Sequence, residues 1–151
     1  HRIQAGFISQ SLDLTGLLYW RVDHWTNDPW NNIHTYFEAP FGHFPGDGMF
    51  VYPGEKVGVN GVIPSIRLKA LRKGVEDYEY IRILKDLGYA DFALEVARSV
   101  GRGWKEWTRD ADELEAARRT LGEKIHSLLN GGAPINTGRD YNCEVKEYEI
   151  E

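Results

Sequence analysis

The sequence predicts an α/β chain that is mostly helical, with few short strands and an antiparallel cluster of helices in its C-terminal half. Three observations predict it. From residue 65 to residue 129, three runs carry apolar residues at steps of three and four, the period of an amphipathic helix. The connections between these runs are short, which sets consecutive helices side by side. Ahead of them, residues 16–23 (GLLYWRVD) are apolar or aromatic at nearly every position, as in a strand buried on both faces. Few other runs read as strands, so this one lacks an evident sheet.

In chain order, residues 1–11 form a weak helical pattern in which Ile3, Phe7 and Ile8 share a face. Residues 14–16 read as a turn, and residues 16–23 as the strand. Leu17, Tyr19, Arg21 and Asp23 would share one face of it, and Leu18, Trp20 and Val22 the other. Residues 26–44 are rich in Pro, Gly and Asn and fit neither period, so they read as a long loop, a kind of segment that often carries function. Pro45-Gly46-Asp47-Gly48 is a turn, residues 49–52 a short strand, residues 53–56 another turn and residues 57–63 an exposed connection.

The first strong helix spans residues 65–87. Ser65 is its N-cap, and Leu68, Leu71, Val75, Tyr78, Ile81, Leu84 and Leu87 form its stripe. Arg72 with Glu76, and Lys73 with Asp77, are placed as opposite-charge pairs on the exposed side. Gly74 in mid-helix weakens it by about 1 kcal/mol relative to Ala, which implies close approach of another backbone. Gly88 ends the helix. Residues 91–100 form a shorter helix, and residues 101–108 place Trp104 and Trp107 under the next turn. Asp110 caps a third helix, with Glu113 completing a capping box and Leu114, Ala117, Leu121, Ile125 and Leu128 as its stripe. Asn130, Gly131, Gly132 and Pro134 stop it. The tail from residue 135 is polar and acidic, with residues 143–150 an edge strand or unstructured.

Composition narrows the function. A net charge of −5 argues against nucleic acid as a partner, because phosphate binding needs a basic face. No apolar run reaches the length of a membrane span. The chain opens on His1 rather than Met, which reads as a domain boundary, and its compartment is open. The single cysteine, Cys143, leaves no internal disulfide. The histidines are scattered with no pair at ligand spacing, so no metal or other cofactor is expected. No serine sits in a nucleophile elbow.

The chemistry-bearing stretch is residues 16–52, which holds ten of the nineteen aromatic residues. Tryptophan offers a broad apolar platform for the C–H face of a sugar, and Asp or Asn binds the hydroxyls at its rim. Trp20, Trp25, Asp28, Trp30 and Asn31 are therefore the candidate carbohydrate-binding residues. The alternative is that these rings are ordinary core. Glu76, Asp77 and Glu79 read as a solvated helix face. Asp112-Glu113, the one Asp-Glu step, reads as capping in a first helical turn.

Three segments in order, GLLYWRVDHWTNDPW, GDGMFVYPG and IPSIRLKALRKGVEDYEYIRIL, resemble the C-terminal part of the glycoside hydrolase family 123 catalytic domain. The resemblance covers about residues 16–129. It implies the C-terminal part of a (β/α)8 barrel followed by helices. Residues 1–11 would end the seventh barrel helix and residues 16–23 would be the eighth strand. Residues 1–60 then form the end of the barrel, residues 61–132 the C-terminal helices and residues 133–151 a tail. Trp25, Asp28 and Trp30 would sit at the rim of a sugar pocket, with Trp20 either there or inside the barrel. The family resembles enzymes that release N-acetylhexosamines with help from the substrate's own acetamido group and an Asp-Glu pair on an earlier strand. That pair is not in this chain, so no catalytic residue is assigned. The resemblance implies carbohydrate and the remainder of the barrel as partners, and a fragment inert by itself. A non-catalytic carbohydrate-binding module and a structural or interaction domain are the alternatives.

Overall fold

A computed structural model of the protein describes residues 1–25, 28–33, 37–38 and 42–131. The N-terminal helix, α1, is wound as a π-helix over Gln4–Ile8 and runs on as α-helix over Ser9–Ser11. Three longer helices follow: α2 (Ile66–Asp86), α3 (Ala90–Val100) and α4 (Ala111–Leu129). The strands come in antiparallel pairs: β1 (Phe37–Glu38) with β2 (Gly42–His43), β3 (Val51–Pro53) with β4 (Val62–Pro64), and β5 (Gly101–Gly103) with β6 (Glu106–Trp107). The chain is thus mixed α/β and mostly helical. The expected tail and its edge strand lie outside the described residues.

The helices share one core, made by Phe7 of α1, Ile81 and Leu84 of α2, Ala93, Ala97 and Val100 of α3, and Ala117 and Leu121 of α4. The caps form as the sequence implies. Ser65 Oγ accepts from the Leu68 N–H at 3.3 Å, and Asp110 Oδ1 accepts from the Asp112 N–H at 2.8 Å. The capping box differs in both partners, since the Asp110 side chain takes the Asp112 N–H in place of that of Glu113. The Asp110 N–H, which Glu113 was to satisfy, donates to Thr108 Oγ1 at 3.1 Å.

The strand expected over residues 16–23 is absent. Residues 16–22 have no strand pairing, and Asp23 alone bridges antiparallel to Met49. Just beside that bridge, Val22 O accepts from Phe50 N and Val51 N at 2.7 and 3.1 Å. A strand exists through its neighbours, and an apolar run on both faces needs cover on both. Here Leu18 is 92% exposed, and Leu17 and Val22 are about half-exposed.

The buried line of α2 also departs from the expected stripe. It runs through Gly74, Asp77, Ile81 and Leu84. Val75 and Leu87 of the predicted stripe are exposed. The shift follows from α1, which lies directly on α2. A Cβ added to Gly74 would stand 2.3 Å from Arg2 O, and one added to Gly6 would stand 2.7 Å from Gly74 O. The two glycines let the helix backbones touch, as the mid-helix glycine implied.

Asp77 is not on a solvated face and does not pair with Lys73. It is 0% exposed. Its carboxylate accepts from Arg2 Nε at 2.7 Å and from Arg118 Nη1 at 3.1 Å. Arg2 also binds Glu115, and Arg118 Nη2 donates to Glu76 at 2.8 Å. One buried acid thereby joins α1, α2 and α4. Burial pushes its carboxyl up from the ordinary range, while Arg2 and Arg118 pull it back.

Trp104 and Trp107 are likewise not packed under the following turn. They stand on the β5–β6 hairpin, 49% and 41% exposed. The cross-strand partner of Trp107 is Gly101, which brings no side chain to cover it.

Candidate functional site

The five predicted site residues fall into two groups, both leaning on β3 and the turn before it. The first centres on residues 45–48. Trp20 Nε1 donates to Asp47 Oδ2 at 3.2 Å, and Tyr19 OH donates to Asp47 Oδ1 at 2.6 Å. The same phenol accepts from the Gly48 N–H at 2.8 Å. Gly48 has φ of +70°, a conformation that glycine adopts without penalty. A Cβ there would also meet the Trp20 ring at 2.7 Å. Tyr19 stacks on Phe50 with centroids 4.3 Å apart. Burial first, then the bond to Asp47, raises the Tyr19 phenol above its ordinary range. The phenol therefore stays protonated, as its donor role requires. Trp20 remains 47% exposed, its ring tilted against His24 with centroids 5.0 Å apart.

The second group gathers Trp25, Asp28, Trp30 and Asn31. The Trp25 indole N–H donates to Val51 O at 3.0 Å, and that of Trp30 donates to Pro53 O at 2.8 Å. Two indoles thus fasten the loop to alternate residues of β3. Trp30 packs on Tyr52 with centroids 5.0 Å apart and is 38% exposed. Asp28 holds the turn: its carboxylate accepts from Trp30 N at 3.1 Å, from Asn31 Nδ2 at 2.6 Å and from Lys56 Nζ. The Lys56 bond, with those of Asn31 and Trp30, holds the Asp28 carboxyl below the usual carboxylate range. Asp28 is therefore an ionised anchor and not a proton donor at neutral pH. Asn31 spends its amide on Asp28.

Four participants escaped the sequence reading. In the sequence Asp47 stands within a tight turn, and Lys56 within the next one. Tyr52 and Arg67 lie apart in sequence and meet through the β3–α2 corner. Arg67 Nε and Nη2 donate to Met49 O at 3.1 and 2.8 Å, and Nη2 also reaches Tyr52 OH at 3.1 Å. No spacing rule joins Tyr19 to Asp47 or Asp28 to Lys56, because the contacts depend on how the loop folds back. Tyr36 and Phe41 of the aromatic stretch lie outside the described residues. Among the described residues no group of three or more His, Cys, Asp or Glu is placed to hold a metal ion. No helix among them is long and apolar enough to cross a membrane.

The site is a set of rings fixed through their polar atoms by main-chain and carboxylate acceptors, with Trp20 and Trp30 left partly exposed. The family model described as glycoside hydrolase 123, catalytic domain, matches residues 3–84, more than half of the chain. The chain belongs to the glycoside hydrolase 123 catalytic-domain family. The match takes in α1, both groups of the site and nearly all of α2. It starts before the quoted motifs and stops short of α3, the β5–β6 hairpin and α4. No curated protein matches the chain. Membership makes this a glycoside hydrolase-related domain, and the family suggests carbohydrate as a ligand class.

Proposed function

We propose that this chain is the C-terminal piece of a glycoside hydrolase barrel and lines one side of its sugar site. In the whole barrel, with neighbouring strands to pair with, residues 16–23 would become the eighth strand, with Trp20 on it and Trp25, Asp28, Trp30 and Asn31 in the loop at its C-terminal end. Trp20 and Trp30 offer ring faces to the sugar, while Trp25, Asp28 and Asn31 hold the loop in shape. The bond cleaved is that of a 2-acetamido sugar, and the acid chemistry comes from an Asp-Glu step on an earlier strand. The observation that supports this reading most is the state of the segment ahead of the loop. The main chain of residues 15–19 makes no hydrogen bond among the described residues, although its side chains are those of a doubly covered strand. Unmade main-chain bonds on an apolar segment invite neighbouring strands.

Purified chain is expected to leave aryl N-acetylhexosaminides intact. The encoded sequence upstream of His1 is expected to add strand–helix repeats with an Asp-Glu step at a strand end, and the longer protein to hydrolyse these substrates. Hydrolysis by the chain alone, or an upstream sequence without those repeats, overturns the reading. A non-catalytic carbohydrate-binding role is favoured by the exposed Trp20 and Trp30 rings. Its expected result is glycan binding by the isolated chain, weakened about tenfold by Trp30→Ala, equivalent to about 1.4 kcal/mol.

A further inference from the structure

The five tryptophans divide by the use of their indole N–H groups. Trp20, Trp25 and Trp30 each donate within the chain. The indoles of Trp104 and Trp107 make no hydrogen bond and no ring contact among the described residues, yet these residues are about as exposed as Trp20 and Trp30. They stand on a hairpin with a fixed base. Gly101 is buried, with the position of its missing Cβ 3.1 Å from Ile8 and 3.4 Å from Ile3 and Phe7. Thr108 N closes the base on Val100 O at 2.8 Å. The hairpin and the residue pair after it also carry the exposed side chains of Arg102, Lys105, Glu106 and Arg109, with Arg102 Nε donating to Arg98 O at 3.3 Å.

The composition of this surface selects a ligand. Residues 101–107 read GRGWKEW, with no Leu, Ile, Val, Phe or Met. Apart from the two rings the hairpin is glycine or charged, without the wider apolar centre of a protein interface or the aliphatic residues of a membrane-inserting loop. Two half-exposed indoles, their N–H donors without acceptors among the described residues, and charged side chains in the same hairpin match instead the C–H faces and hydroxyls of a sugar chain. The hairpin also lies outside the span that matches the glycoside hydrolase 123 family, so that match does not account for it.

We infer that the β5–β6 hairpin is a second, non-catalytic carbohydrate-binding site, in which Trp104 and Trp107 support sugar rings of an oligosaccharide and Arg102, Lys105 and Glu106 bind its hydroxyls. It is separate from the aromatic loop, so it stands or falls independently of the role proposed for that loop.

The test titrates the whole chain with chitohexaose and with chondroitin, a neutral and an acidic 2-acetamido glycan, following tryptophan fluorescence and migration in glycan-containing gels. Trp104→Ala, at the hairpin tip, is expected to weaken binding of at least one of them by about tenfold with an unchanged thermal midpoint. Trp104→Tyr should restore part of it, and Lys69→Ala, on the exposed side of α2 and outside both aromatic groups, should leave it unchanged. Absence of binding by the unsubstituted chain overturns the inference. So does binding that Trp104→Ala leaves unchanged, or a Trp104→Ala effect seen only on self-association or on sedimentation with anionic lipid vesicles. If Trp104/Trp107→Ala fails to fold, the single tip variants decide.

Discussion

Asp77→Ala is expected to destabilise the fold by about 3–5 kcal/mol, the usual effect of removing one partner from a buried ion pair. The substitution leaves Arg2 and Arg118 facing each other across a fully buried position, without the acid that both contact. Arg2 lies two residues before the start of α1, and Arg118 lies in mid-α4, so one substitution loosens the clasp among three helices. For a chain of this size the thermal midpoint should fall by roughly 10 °C or more. Asp77→Asn keeps the shape but not the charge and should fall between the two. A midpoint for Asp77→Ala within a degree or two of the unsubstituted chain would show the network to be dispensable.

The second large effect runs against helix propensity. Alanine for glycine in a helix interior is worth about 1 kcal/mol of stabilisation. Gly74→Ala is nevertheless expected to lower stability by about 2 kcal/mol or more, as overpacking does. The new Cβ would lie 2.3 Å from Arg2 O and 2.9 Å from Ala5 Cβ, so α1 must move off α2. That movement also pulls Arg2 from Asp77. Gly122→Ala in α4 is the comparison. Its Cβ would meet only the Tyr80 ring edge, at 3.3 Å, and this side chain can yield by a few tenths of an ångström. It should be neutral or slightly stabilising. Denaturant melts of the two variants would decide, and equal behaviour would refute the close-approach account.

The same network sets a pH dependence. A hydrogen bond from Arg118 holds the Glu76 carboxyl below its ordinary range, and one from Arg2 does so for Glu115. A carboxyl lowered in the folded state stabilises above its unfolded value and loses that contribution as pH falls through the folded one. Stability should therefore decline below about pH 4.3, the ordinary glutamate value. Asp77 acts in the opposite sense. Burial raises its carboxyl, so its own titration favours the fold at low pH, and that contribution is lost as pH rises through the folded value. Denaturant melts from pH 3 to pH 7 should show a shallower acid limb in Glu115→Gln than in the unsubstituted chain. Identical limbs would remove Glu115 from the account.

The candidate residues were legible in the sequence as residue types, whereas the contacts among them were not. Residue types and their crowding pointed to Trp20, Trp25, Asp28, Trp30 and Asn31, and the structure brings Asp28, Trp30 and Asn31 into one turn. The acceptors that fix the indoles are Asp47 and two carbonyls of β3. A carbonyl is present at every position and carries no sequence signal. Lys56 meets Asp28 only because the loop returns to β3.

By itself the sequence determined the three long helices, their caps at Ser65 and Asp110, the stop at Gly88 and the family to which the chain belongs. Those properties are local: a 3.6-residue period, a side-chain oxygen beside free N–H groups, and motifs in fixed order. Only the tertiary structure decided which face of α2 is buried. Periodicity counts Val75 as core and Asp77 as surface, whereas the contact of Gly6 with Gly74 and the converging arginines bury the acid and expose the valine. Tertiary structure likewise decided that residues 16–22 do not form a strand. Apolar side chains permit a strand, but hydrogen bonds to a neighbour make one, and among the described residues no neighbouring strand pairs with that segment.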